Sequence, residues 1–161
     1  MDTSAAKYFE RMTEILIKKR ALMNELLELT RDQSGLIQSD TLDALRRLIE
    51  EKQSRIDNID RLDEEFGVYM ERLKMTAGVK SLDELDVKAF PAAAALKIVT
   101  GEILGLIKEI SGLEKQNSEK SKELLSNIGA EIQKLNRGKI INKAYAPGPI
   151  NAPSYFLDKK K

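Results

Sequence analysis

The fold of this chain is decided by residues 42–73, which read LDALRRLIEEKQSRIDNIDRLDEEFGVYMERL. One set of positions recurs there at alternating spacings of three and four residues, and eight of its ten members are apolar. The set is Leu42, Leu45, Ile49, Lys52, Ile56, Ile59, Asp63, Phe66, Met70 and Leu73. Such spacings place side chains on one face of an α-helix. The stretch therefore predicts a long amphipathic helix, which Ser39 or Asp40 is available to cap and which ends near Ala77-Gly78.

The same rhythm precedes this stretch. An apolar face made chiefly of Tyr8, Met12, Ile15, Leu22, Met23, Leu26 and Leu29 predicts a helix from about Thr3 to about Asp32. Ser34-Gly35 follows directly and is the predicted stop, since glycine is the usual residue just past a helix end.

The same spacing of apolar residues also occurs after residues 42–73. Apolar residues from Leu96 to Leu135 predict a third long helix, with Pro91 suited to its first turn and an end near Gly138. Between the second and third helices, residues 81–84 (SLDE) have the spacing of a capping box and predict one or two short turns.

Three long helices with one apolar face each pack most simply as an elongated antiparallel bundle. We therefore predict an all-α fold: a bundle of three long helices, a short connecting helix and an extended C-terminal tail. The boundary is expected near Gly138, with a helical bundle domain over residues 1–137 and a flexible or partner-docking tail over residues 138–161.

Two features of the predicted apolar faces leave alternatives open. The faces are wider than a strict coiled-coil seam, so the additional apolar residues either widen the bundle core or remain for a partner helix or a second copy of the chain. Gly101 and Gly105 share one face of the third helix, where they either admit a close neighbour or are merely tolerated. Polar residues within the seams are expected to fix helix register; they are Lys19, Lys52, Asp63 and Asn117.

Composition excludes several classes of function. The chain has 27 Lys plus Arg against 26 Asp plus Glu, so it lacks the basic excess of a nucleic-acid-binding protein. Cys, His and Trp are absent, which removes thiol nucleophiles, imidazole acid/base chemistry and the usual zinc ligands. We expect no enzyme activity, no catalytic or metal-binding residues and no cofactor. The most apolar stretch, residues 92–112, contains four charged residues, so we expect no stable membrane insertion and a cytoplasmic location.

The near-zero net charge conceals an uneven distribution. Residues 137–161 carry six positive and one negative charge, which leaves a net charge of −4 on the rest of the chain. This basic segment also contains three of the eight aromatic residues, more than a purely solvated linker usually has. It is expected either to dock on the bundle or to be a short motif that a partner reads.

Three stretches together resemble a known family. They are residues 50–52 (EEK) in the leucine-rich second helix, residues 113–125 with LEKQN followed by ELL, and the tail with AYAPG at residues 144–148 and FLDKK at residues 156–160. In this order they are similar to the FlgN-type flagellar export chaperones, and the resemblance covers nearly the whole chain.

The resemblance implies a function and its residues. It implies a cytosolic chaperone that binds the C-terminal helices of hook-filament junction proteins of FlgK and FlgL type, prevents their premature assembly and delivers them to an export gate protein of FlhA type. The substrate surface would lie on the last long helix, at Leu124, Leu125, Ile128, Ile132 and Leu135. Docking to the export gate would be carried out by Tyr145, with Tyr155 and Phe156 as a second aromatic pair able to share or take over that role.

A homodimer is also compatible with the wide apolar faces. The alternative from another class of function is a structural or tethering protein that self-associates as a coiled coil through the same faces.

Overall fold

A computed structural model describes the backbone of residues 3–141 and the side chains of residues 5–137. It contains three long helices: α1 over Thr3–Leu36, α2 over Leu42–Ala77 and α3 over Ala93–Ile141. No strand occurs in this part of the chain. The predicted all-α class and the three long helices are therefore confirmed.

The predicted stop of α1 at Ser34-Gly35 is wrong, because α1 continues to Leu36. Gly35 does not adopt the left-handed backbone conformation that ends helices; within the described residues only Gly78 has a positive φ. The last turn is held instead by Thr41, whose hydroxyl donates a hydrogen bond to the Leu36 carbonyl at 2.9 Å.

The predicted end of α2 at Ala77-Gly78 is confirmed. Gly78 has φ 70°, and its N–H donates to the Lys74 carbonyl at 2.9 Å. At the other end, Thr41 occupies the N-cap position but makes no side-chain capping bond. The expected caps at Ser39 or Asp40 are therefore not used.

The α2–α3 connection contains a 3₁₀-helix, Leu82–Glu84. The Glu84 carboxylate accepts a hydrogen bond from the Ser81 N–H at 3.1 Å, which is one half of a capping box. α3 begins two residues after Pro91 and passes through Gly138, where the sequence predicted its end. A glycine costs a helix only about 1 kcal/mol relative to alanine, which does not suffice to stop a helix that is already formed.

α1 is the element against which both other helices pack. Ion pairs Arg11–Glu65 and Arg55–Glu25 join α1 to α2 in opposite directions along the chain, whereas Arg20–Glu102 and Arg31–Glu109 join α1 to α3 in the same direction. Apolar side chains fill the α1–α2 and α1–α3 contacts in three successive clusters. α2 and α3 approach each other only marginally, so α1 is covered on two sides.

The largest cluster lies where the α2–α3 connection crosses the start of α1. Phe9 and Met12 of α1 are fully buried there with Leu73 of α2 and Leu96 of α3. Phe90 of the connection packs against Phe9 with ring centroids 5.6 Å apart. This cluster fixes the connection, so α3 starts beside the N-terminal end of α1.

Gly101 and Gly105 admit no close neighbour within the described chain. A Cβ atom added at either position would meet nothing within 4 Å. We therefore expect Gly101→Ala and Gly105→Ala each to raise the free energy of unfolding by about 1 kcal/mol, measured by urea denaturation. Gly78→Ala is the matched control and should lower it, because φ 70° strains any side chain. A loss of stability in both helical variants would contradict this expectation.

Candidate functional site

An open groove lies between α2 and α3, because both helices pack on α1 while their own backbones approach each other only marginally. Its volume is about 640 Å³. We call it the α2–α3 groove. The apolar side chains lining it are Leu26, Leu45, Ile49, Ile56 and Ile110. Its polar lining comprises Gln33, Lys52, Gln53, Glu114, Lys115 and Asn117, with Ser111, Ser118 and Ser121 on α3.

The floor of the groove holds a hydrogen-bonded polar layer that joins all three helices. Lys52 of α2 is buried, and its ammonium donates to Gln33 Oε1 at 2.7 Å and pairs with the Glu114 carboxylate of α3. Asn117 Nδ2 donates to the Thr30 carbonyl of α1 at 3.0 Å. Burying a charge is costly unless it is paired, so this layer favours one axial register of the three helices.

The other two polar seam residues also pair with each other. Lys19 Nζ lies 2.7 Å from Asp63 Oδ1, across the α1–α2 contact. All four polar interruptions of the apolar faces therefore have partners on a neighbouring helix, in line with the register role expected of them.

The groove ends at the α1–α2 turn, where the first two predicted substrate-binding residues lie. Leu124 and Leu125 are half-buried and pack against the cluster formed by Ile37 and Leu45. Close to this level, Lys120 Nζ donates to the Ser34 carbonyl at 2.8 Å. Leu124 and Leu125 therefore contribute to the packing of the fold, in addition to the partner contact predicted for them.

The other three predicted substrate-binding residues lie beyond this level. Residues 126–141, here called the α3 extension, continue α3 by about 24 Å at 1.5 Å per residue. Ile128 and Ile132 are half-buried and Leu135 is 58% exposed. None of the three apolar clusters includes them. Their spacing of four and three puts them on one face, which continues the groove wall.

Some of the apolar residues beside the predicted faces widen the core of the bundle, and others remain exposed and available to a partner. Phe9, Leu16 and Leu48 are buried and widen the core. In contrast, Ile98 and Ile107 are 65% and 43% exposed, and Leu104, which the sequence analysis did not single out, is 61% exposed. Leu104 and Ile107 extend the α3 wall of the groove toward the start of that helix.

Sequence reasoning missed the groove itself. A signal was present in the sequence. Each residue of this wall directly follows a residue of the predicted apolar face of α3 and so lies to one side of that face; the set is Leu104, Ile107, Ser111, Ser118 and Leu125. Small serines in such a row mark a wall that a neighbouring helix can approach closely. The predicted gate residues Tyr145, Tyr155 and Phe156 lie outside the described residues.

The described helices carry no segment with both the length and the hydropathy needed to span a bilayer. Within the same residues, no three acidic side chains converge as metal ligands would.

Comparison with known proteins identified one family. A family model described as FlgN protein matches residues 1–148. No curated protein and no solved structure matches the chain.

The polar layer allows a double-mutant test. We expect Glu114→Leu to lower the free energy of unfolding by about 1–3 kcal/mol, because it leaves the buried Lys52 ammonium without its charged partner. Adding Lys52→Met should restore most of that loss, because apolar side chains of similar volume then line the floor. Chemical denaturation of the two single variants and the double variant measures the coupling. Additive losses would show that the pair does not interact.

Proposed function

The chain belongs to the FlgN family of flagellar export chaperones, and from this premise we propose that it binds the C-terminal helices of hook-filament junction proteins of FlgK and FlgL type. It would act in the cytoplasm, prevent premature assembly of these proteins and deliver them to an export gate protein of FlhA type. Residues 1–137 would form one elongated antiparallel bundle and residues 138–161 the partner-docking tail.

The single observation that carries this proposal is the end of the apolar face of α3. From Leu125, at the end of the groove, this face continues into the α3 extension, where Ile128, Ile132 and Leu135 lie outside the apolar clusters of this chain. An amphipathic helix binds such a surface by burying its own apolar face, read at positions i, i+3, i+4 and i+7. The same contact would mask the helix against self-assembly.

The free energy available from burying the α3 extension is too small for this segment alone to form a micromolar complex. Covering its three apolar side chains contributes on the order of 5 kcal/mol before the entropic costs of association. A micromolar complex needs about 8 kcal/mol. The α2–α3 groove is the adjoining apolar surface that supplies the difference.

The tail is assigned to the export gate. The family model covers Tyr145 but ends at residue 148, before the second aromatic pair Tyr155 and Phe156. This favours Tyr145 as the residue that docks, with Tyr155 and Phe156 in a supporting role.

Self-association is the second candidate function. Ile98 and Leu104 are exposed on the part of α3 that is not covered by α1, beside Gly101 and Gly105, which leave room for a close helix contact. Light-scattering mass without any partner distinguishes the two roles: a stable oligomer favours the structural protein, and a monomer or a dimer that still takes up junction-protein helices favours the chaperone.

The extension is tested by substitution. We expect Ile128→Asp and Ile132→Asp each to weaken binding of a junction-protein C-terminal helical peptide by at least tenfold in calorimetry, because a carboxylate at the contact must be desolvated. Helical content and unfolding midpoint should stay close to those of the parent. Ile98→Asp is the control, since it places the same charge on an exposed part of α3 away from the groove.

Leu124→Asp should weaken binding too, but with a loss of stability, because Leu124 packs against the Ile37–Leu45 cluster. Complete absence of a complex between the parent protein and such peptides at micromolar concentration would refute the proposed function.

The tail is tested separately. Tyr145→Ala should leave the affinity for junction-protein peptides unchanged and weaken docking to the cytoplasmic domain of an FlhA-type protein, because the two partners are assigned to different segments. Tyr155→Ala/Phe156→Ala is the matched comparison and should have the smaller effect on docking. Calorimetry with both partners measures this, and equal losses for both partners in the Tyr145→Ala protein would contradict the division of labour.

A further inference from the structure

The two edges of the α2–α3 groove carry opposite charges. On α2, acidic residues recur every seven positions; they are Asp43, Glu50, Asp57, Glu64 and Glu71. On α3, lysines recur every seven positions; they are Lys108, Lys115 and Lys122. Seven residues make about two turns, so each row runs along one edge of its helix.

Both rows border the groove. Lys115 lines it directly, and Asp57 accepts a hydrogen bond at 2.9 Å from Gln53, which lines the opposite wall. The remaining members of each row share the edge of Asp57 or Lys115 by their spacing and are exposed. Arg46, near the start of α2, is a basic residue close to the acidic edge.

These charges are not paired across the groove. The α1–α2 and α1–α3 contacts are each bridged by Arg–Glu pairs at the surface, such as Arg55–Glu25 and Arg31–Glu109. Among the described side chains, the ion pair that joins α2 to α3 is Lys52–Glu114, at the floor. Glu50, Glu64 and the three lysines of the α3 row take part in no ion pair there. The groove therefore separates two edges of opposite sign.

The walls of the groove suit a helix. Ser111, Ser118 and Ser121 are small, and the apolar side chains of the other wall, including Ile49 and Ile56, stand opposite them. Packed helices lie 8–10 Å apart, and small side chains allow the shorter separations. A helix laid here would complete a four-helix arrangement in which α1 and the new helix lie on opposite sides of the α2–α3 gap.

We propose that the α2–α3 groove binds an amphipathic partner helix that carries basic residues along one edge of its apolar face and acidic residues along the other. The basic edge lies against the α2 row and the acidic edge against the α3 row. This rests on the proposed function, because the helix would belong to the exported protein. Reversing the helix exchanges its two edges, so the charge pattern also sets the direction in which the partner runs along α3 and toward the α3 extension.

The test uses two synthetic helical peptides of about 18 residues with the same leucine and isoleucine stripe. One has lysine on one edge and glutamate on the other, and the second has glutamate on both edges. We expect the full-length protein to bind the mixed peptide about tenfold more tightly, since several surface charge pairs each contribute a modest amount. The preference should shrink in high salt.

The protein variant Glu50→Lys/Asp57→Lys/Glu64→Lys should reverse this preference and favour the peptide with two acidic edges. The control is Glu10→Lys/Glu51→Lys/Glu123→Lys, which changes the net charge equally at exposed positions that do not line the groove. It should keep the parent's preference. Equal behaviour of the two variants, or no binding of either peptide by the parent, overturns the proposal.

The same variants also test whether the groove binds a second copy of the chain or the protein's own tail. A change in solution mass on reversing the α2 row would assign the groove to a second copy of the chain. A rise in peptide affinity in Tyr155→Ala/Phe156→Ala would assign it to the protein's own tail. Either result overturns the proposal. Failure of junction-protein peptides to bind, with the designed peptides still discriminated, would refute the proposed function and leave the groove assignment standing.

Discussion

The structure depends on one constraint, which is that α2 and α3 both pack along α1, whereas their own backbones approach each other only marginally. α1 contributes Phe9 and Met12 near its start and Leu26 and Leu27 in its C-terminal half to clusters shared with its neighbours. Because α1 is covered on only two sides, the gap between α2 and α3 stays open. The groove is thus a consequence of how the core is built, and its walls are the margins of the same apolar faces.

The buried polar layer connects this architecture to recognition. Lys52, Glu114, Gln33 and Asn117 join the three helices at the groove floor, and an axial shift of one turn would leave the Lys52 ammonium buried and unpaired. The same register sets the acidic row of α2 opposite the lysine row of α3. Helix register, which is an internal property of the fold, therefore also sets the charge pattern that a partner meets.

The length of α3 gives the chain the second surface at which we propose that a partner binds. α3 has 49 residues, against 34 in α1 and 36 in α2, and its start is fixed beside the start of α1. The excess therefore emerges at the opposite end, beyond the α1–α2 turn. There the rhythm of three and four residues continues through Ile128, Ile132 and Leu135, which belong to none of the apolar clusters; for this reason we propose them as part of the binding surface.

The sequence by itself determined the helices, because an apolar rhythm of three and four and the glycine after Ala77 are local signals. The family resemblance added the predicted substrate-binding residues Leu124, Leu125, Ile128, Ile132 and Leu135, which stay a prediction. The helix ends predicted at Gly35 and Gly138 were wrong, because neither glycine has the left-handed backbone conformation that lets a glycine end a helix. Only the tertiary structure decided which apolar residues beside the predicted faces are covered: Leu48 is buried, whereas Ile107 is 43% exposed. The physical reason is that burial depends on which neighbour covers a face, and periodicity along one helix does not specify that neighbour.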